Sequence, residues 1–446
     1  MGESDEMEVD PAEGSSNKVK KNAAKGKKEV VPRPYLPGMP MKKNEELVYD
    51  PSAYHMLHEA QTGAPSLSFD IIPDGDGDNR TQFPHSAYLV AGTQADRPNG
   101  NNLIVMKVEN LVKTHKNEDE SSSESEDEDE EGFKLEKNNE PFMRTQLIKH
   151  YGCVNRIRTT LIDGKVLAGV WSEMGKVTVV DISPQLQCLV DPTNPLNQRN
   201  KKKGVGDPIK PLYVFTGHRG EGYGIDWCPT QQGVLATGDC KGGLHIWTPR
   251  GEGWSVNKNS LVGHTDSVED LQWSPNEPSV ISSCSVDKSI RIWDTRDNPN
   301  SACKLAVNDA HTSDVNVISW NKKEPLILSG GDDGYIHVWD LRNFKSQSTV
   351  ASLKHHKDSI TTVEWMPLEG SIFASGGEDD QITIWDLAVE RDEAVKEEDV
   401  KDLPPQLLFI HQGQKEIKEL HWHKQIPGMI ISTSNTGFNF FKTISV

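Results

Sequence analysis

Four stretches decide how this chain is read: GHRGEGYGIDW (217–227), GHTDSVEDLQW (263–273), AHTSDVNVISW (310–320) and HHKDSITTVEW (355–365). In each, a histidine is followed nine residues later by tryptophan: His218/Trp227, His264/Trp273, His311/Trp320 and His356/Trp365. Each unit closes on a second tryptophan, in LHIW, IRIWD, IHVWD and ITIWD, and these closing residues, Trp247, Trp293, Trp339 and Trp385, stand 46 residues apart. Nine of the eleven tryptophans fall in the pattern once Trp422 is counted, so the period is a repeat and not a coincidence of composition.

Apolar and polar residues alternate within the units, as in Ile290-Arg291-Ile292-Trp293, which is the period of a strand. SPNEP, GGDDG and GGEDD punctuate the runs as turns. About four short strands per unit is the blade of a WD-repeat β-propeller. Thr237, Ser283, Ser329 and Ser375 precede the closing tryptophan by ten residues, and Asp287, Asp333 and Asp379 precede it by six. The expectation is a buried hydrogen-bonded tetrad in each blade: His264–Asp287–Ser283–Trp293, His311–Asp333–Ser329–Trp339 and His356–Asp379–Ser375–Trp385. In the preceding unit Lys241 stands in the Asp slot, with Asp239 nearby. Ser, His and Asp also make hydrolase triads, but a set that recurs blade after blade is architecture, so no catalytic residue is assigned and the chain is expected not to be an enzyme.

Residues 150–181 read as a further unit, 86–111 as two strands of an earlier one and 411–446 as the last, seven in all. The predicted fold class is therefore all-β: one seven-bladed propeller over 83–446, with inserts at 114–140, 187–210 and 389–402. Residues 1–31 are expected to be a disordered tail and 32–82 a docking segment. There NEELVYDPSAYHMLHEAQ (44–61) suggests a helix, with Asp50 as cap, Pro51 in the first turn and an apolar stripe of Leu47, Tyr54, Leu57 and His58. Docked on the ring, such a helix would make a groove for a partner helix.

The chain has 446 residues, 67 acids against 48 bases, and a net charge of −19. That balance disfavours sequence-specific nucleic-acid binding and anionic membranes, and favours basic partners. No apolar run reaches membrane-spanning length and the acidic start is unlike a secretory signal. The six cysteines include no CxxC pair, which argues against a zinc ribbon or a disulfide framework and for a reducing compartment. HH (355–356) and HWH (421–423) place neighbouring histidines on opposite faces of a strand, so no metal and no cofactor is expected.

The charge concentrates in EDESSSESEDEDEE (118–131), where Glu118, Asp119, Glu120, Glu124, Glu126, Asp127, Glu128, Asp129, Glu130 and Glu131 are interrupted only by serines. So dense a run cannot pack. It can neutralise a Lys/Arg-rich client through many weak, salt-screened contacts and keep those same groups off RNA or DNA. Ser121, Ser123 and Ser125 each have an acid three residues on, suiting an acidophilic kinase, and each phosphate adds roughly 1.5–2 negative charges. Lys18, Lys20, Lys21, Lys25, Lys27 and Lys28 form a candidate nuclear or nucleolar address.

PSLSFDIIPD (65–74) and SAYLVAGTQ (86–94) resemble the retinoblastoma-binding histone-chaperone WD proteins. In that family an N-terminal helix and an acidic loop bind a core-histone helix. PRPYLPG, EELVYDPSAYHMLHEAQTGAPSLSFDIIPD, the acidic block and the seven units together resemble the glutamate-rich WD-repeat proteins over nearly the whole of 32–446. That resemblance implies a nucleolar factor, partly cytoplasmic, in large-subunit ribosome assembly, with newly made ribosomal protein L-three as client and core histones as the alternative. A monomer is expected. Asp294 and Arg296, and Asp340 and Arg342, belong to W-D-x-R endings that resemble those of substrate receptors for cullin-four ubiquitin ligases, a third reading in which the arginines contact the ligase adaptor.

Overall fold

In the computed structural model the chain divides into two units, 1–48 and 49–446. The structure describes residues 35, 39, 47–114, 140–191, 193–194, 209–390 and 403–446.

Seven four-stranded antiparallel sheets make up the larger unit. The first holds Ser66–Ile72, His85–Thr93, Asn102–Leu111 and Phe142–Lys149, and the second Val154–Ile162, Lys165–Ser172, Lys176–Asp181 and Tyr213–Phe215. The third to sixth begin at Ile225, Val268, Val315 and Ile360 and follow the same meander. Their first strands contact one another in succession around the ring, and Ile417–Trp422 of the seventh meets Ser66–Ile72 of the first. The seven-bladed propeller read from the tryptophan spacing is therefore the observed architecture.

The seventh sheet corrects the reading of the N-terminal segment. Residues 50–61 do not form a helix. Asp50 caps as expected, its Oδ1 accepting from the Ser52 backbone N–H at 2.9 Å, but the turn it starts is a 3₁₀ turn over Pro51–Ala53 only. Tyr54 then enters extended backbone, and Tyr54–Ala60 pairs antiparallel with Gly437–Thr443 as the outermost strand of blade seven. The side chains follow the strand period: Tyr54 and Met56 are buried and His55 is exposed between them. The physical reason is the partner. A lone amphipathic segment of this length favours a helix, but an unpaired strand at the end of the chain offers it a ladder of backbone hydrogen bonds. The ring thus takes in 54–82, which the sequence assigned to a docking segment. A second difference is local: Ser183–Val190 is an α-helix that leads into the 187–210 insert, burying Cys188 and Leu189.

Seven apolar clusters fill the interfaces between successive blades. The closing tryptophans carry much of that burial: Trp247, Trp293 and Trp385 are fully enclosed and Trp339 is 1% exposed. Each is tied to its blade by the tetrad. His264 Nδ1–H donates to Asp287 at 2.9 Å, Ser283 hydroxyl meets His264 Nε2 at 2.7 Å, and the Trp293 indole N–H donates to Ser283 at 2.8 Å. The same set links His311, Asp333, Ser329 and Trp339, and also His356, Asp379, Ser375 and Trp385, where Thr383 shares the serine's place at 2.7 Å from the indole. In blade three Asp239, not Lys241, completes the tetrad, bonded to His218 at 2.9 Å. Burial works against its ionisation, yet the imidazole and the Gly243 N–H hold Asp239 down at about 2.

Candidate functional site

The acidic insert 118–131 and its three serines lie outside the described residues, as does Lys18–Lys28, but both roots of the insert are in view. On one side Leu111–Thr114 is stapled to the blade-seven edge strand. The Leu57 N–H donates to Thr114 Oγ1 at 2.8 Å, the Thr114 N–H to His55 O at 3.0 Å, and His58 Nε2–H to Val112 O at 2.8 Å. Burial lowers the His58 pKa, so the imidazole serves this bond neutral. On the other side Phe142 pairs with Glu109 across the sheet, and Glu109 takes Lys107 at 2.8 Å and Arg144 at 2.5 Å. Arg144 lies over the Phe142 ring at 5.5 Å and reaches Leu189 O at 3.3 Å. Both ends of the insert therefore leave one end of one sheet, held by hydrogen bonds and ion pairs.

Three of the four residues assigned to a helical groove take other roles. Tyr54 is buried, its hydroxyl bonded to His411 Nδ1 at 2.8 Å and its ring edge-on to Phe409 and Phe441. Leu57 packs against the cluster between blades six and seven, and His58 clamps the insert root. Leu47 belongs to the smaller unit and is exposed.

The W-D-x-R endings lie at corresponding places on blades four and five. Arg296 turns back on Asp294 through Nε at 2.9 Å and Nη2 at 2.6 Å, and Arg342 on Asp340 at 2.9 and 2.7 Å. Each aspartate also accepts the N–H of its arginine, so a short turn fixes a forked pair. The Arg296 hydrogen bonds hold Asp294 at about 2. Both arginine side chains are largely exposed. The chemistry is that of two rigid surface ion pairs, side by side.

A third set of polar residues was not read from the sequence. The residue before the tryptophan of each first strand reaches the next blade and accepts the backbone N–H of the tryptophan there: Asp226 from Trp273 at 2.8 Å, Gln272 from Trp320, Ser319 from Trp365 at 3.1 Å and Glu364 from Trp422 at 3.1 Å. The indole N–H of the receiving tryptophan bonds the same residue's carbonyl for Trp273, Trp365 and Trp422. DW, QW, SW and EW, each directly before the turn, were the available signal.

The stitch becomes ionic where the ring closes. Glu419 accepts the Phe69 N–H of blade one at 2.7 Å and Arg158 of blade two at 2.8 Å, with Arg156 at 3.5 Å. Burial pushes Glu419 toward neutrality, yet Arg158 and His421 hold it well below the usual carboxylate range. His421, the first histidine of HWH, is desolvated too, but Glu364 at 2.9 Å and Glu419 at 3.6 Å raise it to about 9. Asp226 has no such neighbour; burial lifts it to about 7. The other paired histidines are also spent: His423 Nδ1 accepts the Gln425 N–H and His355 meets Gln381.

Comparisons with known proteins agree with this geometry. The histone-binding family described by RBBP4 and by its counterpart in the CAF1 complex matches residues 44–112, and the WD domain, G-beta repeat family matches 255–294, 303–340 and 347–386. The Arabidopsis thaliana protein named heat stress tolerant DWD 1 is 42% identical over 96% of this chain and 95% of its own. Ribosome assembly protein rrb1 of Schizosaccharomyces pombe is 40% identical over 92% of this chain and 85% of its own. Glutamate-rich WD repeat-containing protein 1 of Dictyostelium discoideum is 45% identical over 91% and 83%. With full-length likeness at this level, joined to seven blades and a glutamate-rich insert, the chain belongs to the glutamate-rich WD-repeat-containing protein family.

Proposed function

We propose that this protein is a non-enzymatic scaffold in ribosome biogenesis that shields a basic client, a newly made large-subunit ribosomal protein of the L-three kind, in the nucleus and nucleolus. The observation that carries the reading is the anchoring of the insert: ten acids within fourteen residues spring from a root bonded on one side to Leu57, His55 and His58 and on the other to Glu109 and Arg144. A polyanion tied at both ends to a rigid ring keeps its charge concentrated at one place on the surface, which raises the local density of contacts offered to a cationic partner. The fission-yeast relative named for ribosome assembly supports the process. The His–Asp–Ser sets serve as tetrads, which supports a binding role without turnover.

The family match over 44–112 favours a second reading, a histone as the basic client. The exposed Arg296–Asp294 and Arg342–Asp340 pairs favour a third, contact with a cullin-four ligase adaptor. Affinity purification with crosslinking mass spectrometry separates them by naming the partner. Deleting 118–131 then tests the mechanism: the client's affinity falls and its salt dependence flattens. Unchanged affinity and salt slope would remove the polyanion from the mechanism.

A further inference from the structure

Blade five differs from its neighbours at one position. The third strand of each regular blade sets a side chain opposite the tetrad hydroxyl: His245 faces Thr237, Arg291 faces Ser283, His337 faces Ser329 and Thr383 faces Ser375. Three of these are spent. His245 Nδ1–H donates to Asn257 O at 2.9 Å, Arg291 Nε–H to Ser289 at 3.1 Å, and Thr383 accepts the Trp385 indole N–H. His337 Nδ1 is buried without a partner. Its ring lies 4.5 Å from that of His311 and stacks on Tyr335 at 18°. One ligand atom from each of His311, Asp333 and His337 lies within 4.8 Å of the others.

We infer that blade five binds a divalent transition ion of the zinc class on His311, Asp333 and His337, a site distinct from the client-binding role proposed above. Imidazole nitrogen and carboxylate oxygen are the donors such an ion takes, at about 2.0–2.2 Å. Two donors at those lengths and a tetrahedral angle stand about 3 Å apart, which His311 Nδ1 and Asp333 Oδ1 already do at 3.0 Å. A turn of the His337 ring brings in the third donor. Desolvation, then the neighbouring His311, lowers His337 to about 4, so its lone pair is open at neutral pH. The carboxylate is fixed from behind by the Thr312 N–H at 2.9 Å, the Thr312 hydroxyl at 3.1 Å and the Tyr335 N–H at 3.1 Å.

The proton ledger balances without release to solvent. The ion takes the place of the proton between His311 Nδ1 and Asp333, and the imidazole carries its proton at Nε2 instead. Nε2–H then donates to Ser329 Oγ, and the Ser329 hydroxyl proton turns away from its former acceptor. The lost bond weakens binding by roughly tenfold, which makes this a reversible site and not a folding metal.

The test is titration of metal-free full-length protein with zinc chloride against a chromophoric chelator, beside a His337→Thr variant that copies Thr383 of blade six. One ion binds the wild type, and the variant binds it at least about tenfold more weakly, while its metal-free unfolding midpoint stays unchanged because the tetrad is intact. Zinc anomalous scattering from wild-type crystals gives an independent answer should the variant fold poorly: a peak among the three side chains upholds the site. Equal binding by the variant, no bound ion, or a peak elsewhere, as on one of the free cysteines, overturns it.

Discussion

Replacing Glu419 by glutamine removes one charge from the only described place where three non-consecutive parts of the ring meet on a single side chain. Glu419 is 5% exposed and serves the Phe69 N–H, Arg158 and His421 together. Glutamine keeps the shape and one acceptor, but leaves Arg158 facing a neutral amide in a buried setting. Breaking a buried pair from one side costs about 3–5 kcal/mol. The exposed Glu416–Lys418 pair, at 3.4 Å, is the control, and Glu416→Gln should cost under about 1 kcal/mol. The assay is urea unfolding followed by tryptophan fluorescence, with hydrogen exchange of the 66–72 strand measured under native conditions. Glu419→Gln lowers the midpoint and speeds exchange at Phe69, and Glu416→Gln does neither. The pH dependence has a definite sign. Glu419 is depressed, so its contribution is present above its unfolded value of about 4.5 and is lost as pH falls. His421 is raised to about 9, so its contribution is complete below about 6.5 and is lost as pH climbs through 9. Wild type is thus most stable between these limits, and the variant loses the acid limb. A variant with wild-type midpoint, exchange and acid limb would refute the closure role of Glu419.

Asp226→Asn should have the opposite sense: burial raises Asp226 to about 7, so ionising it opposes folding, and the variant gains stability relative to wild type as pH rises from 6 to 8 in the same urea assay. Ser329→Ala strips the shared partner from Trp339 and His311 and should cost about 1–3 kcal/mol, read from the shift in urea midpoint. Arg296→Ala with Arg342→Ala should leave the midpoint within about 0.5 kcal/mol while abolishing any cullin-adaptor contact, measured by pull-down with the basic client retained.

The ring was legible because its signals recur. A tryptophan every 46 residues, with a hydroxyl ten before it, survives variation in any one unit. The exception at Lys241 misled only about position: the tetrad needs a carboxylate near His218, and Asp239, two residues earlier, reaches it. Tyr54–Ala60 was misread because its pattern fits two periods, Tyr54, Leu57 and His58 on a helix or Tyr54 and Met56 on a strand. Local sequence cannot choose between them when the deciding partner is Gly437–Thr443 at the other end of the chain. The blade-to-blade stitch was illegible for a different reason. Asp, Gln, Ser and Glu before the tryptophan share a capacity to accept a hydrogen bond, not a residue type, so no spelling repeats.

Pairing Tyr54 with Thr443 also sets a timetable. Translation delivers the latch strand first and its receiving edge last, and at about 5–20 residues per second the wait is on the order of 20–80 s. Throughout that interval the half-made barrel has a raw flank, and a newly synthesised molecule depends on whatever covers that flank until the final blade leaves the exit tunnel. Messages cut short before codon 437 would yield a product with no place to seat its own beginning.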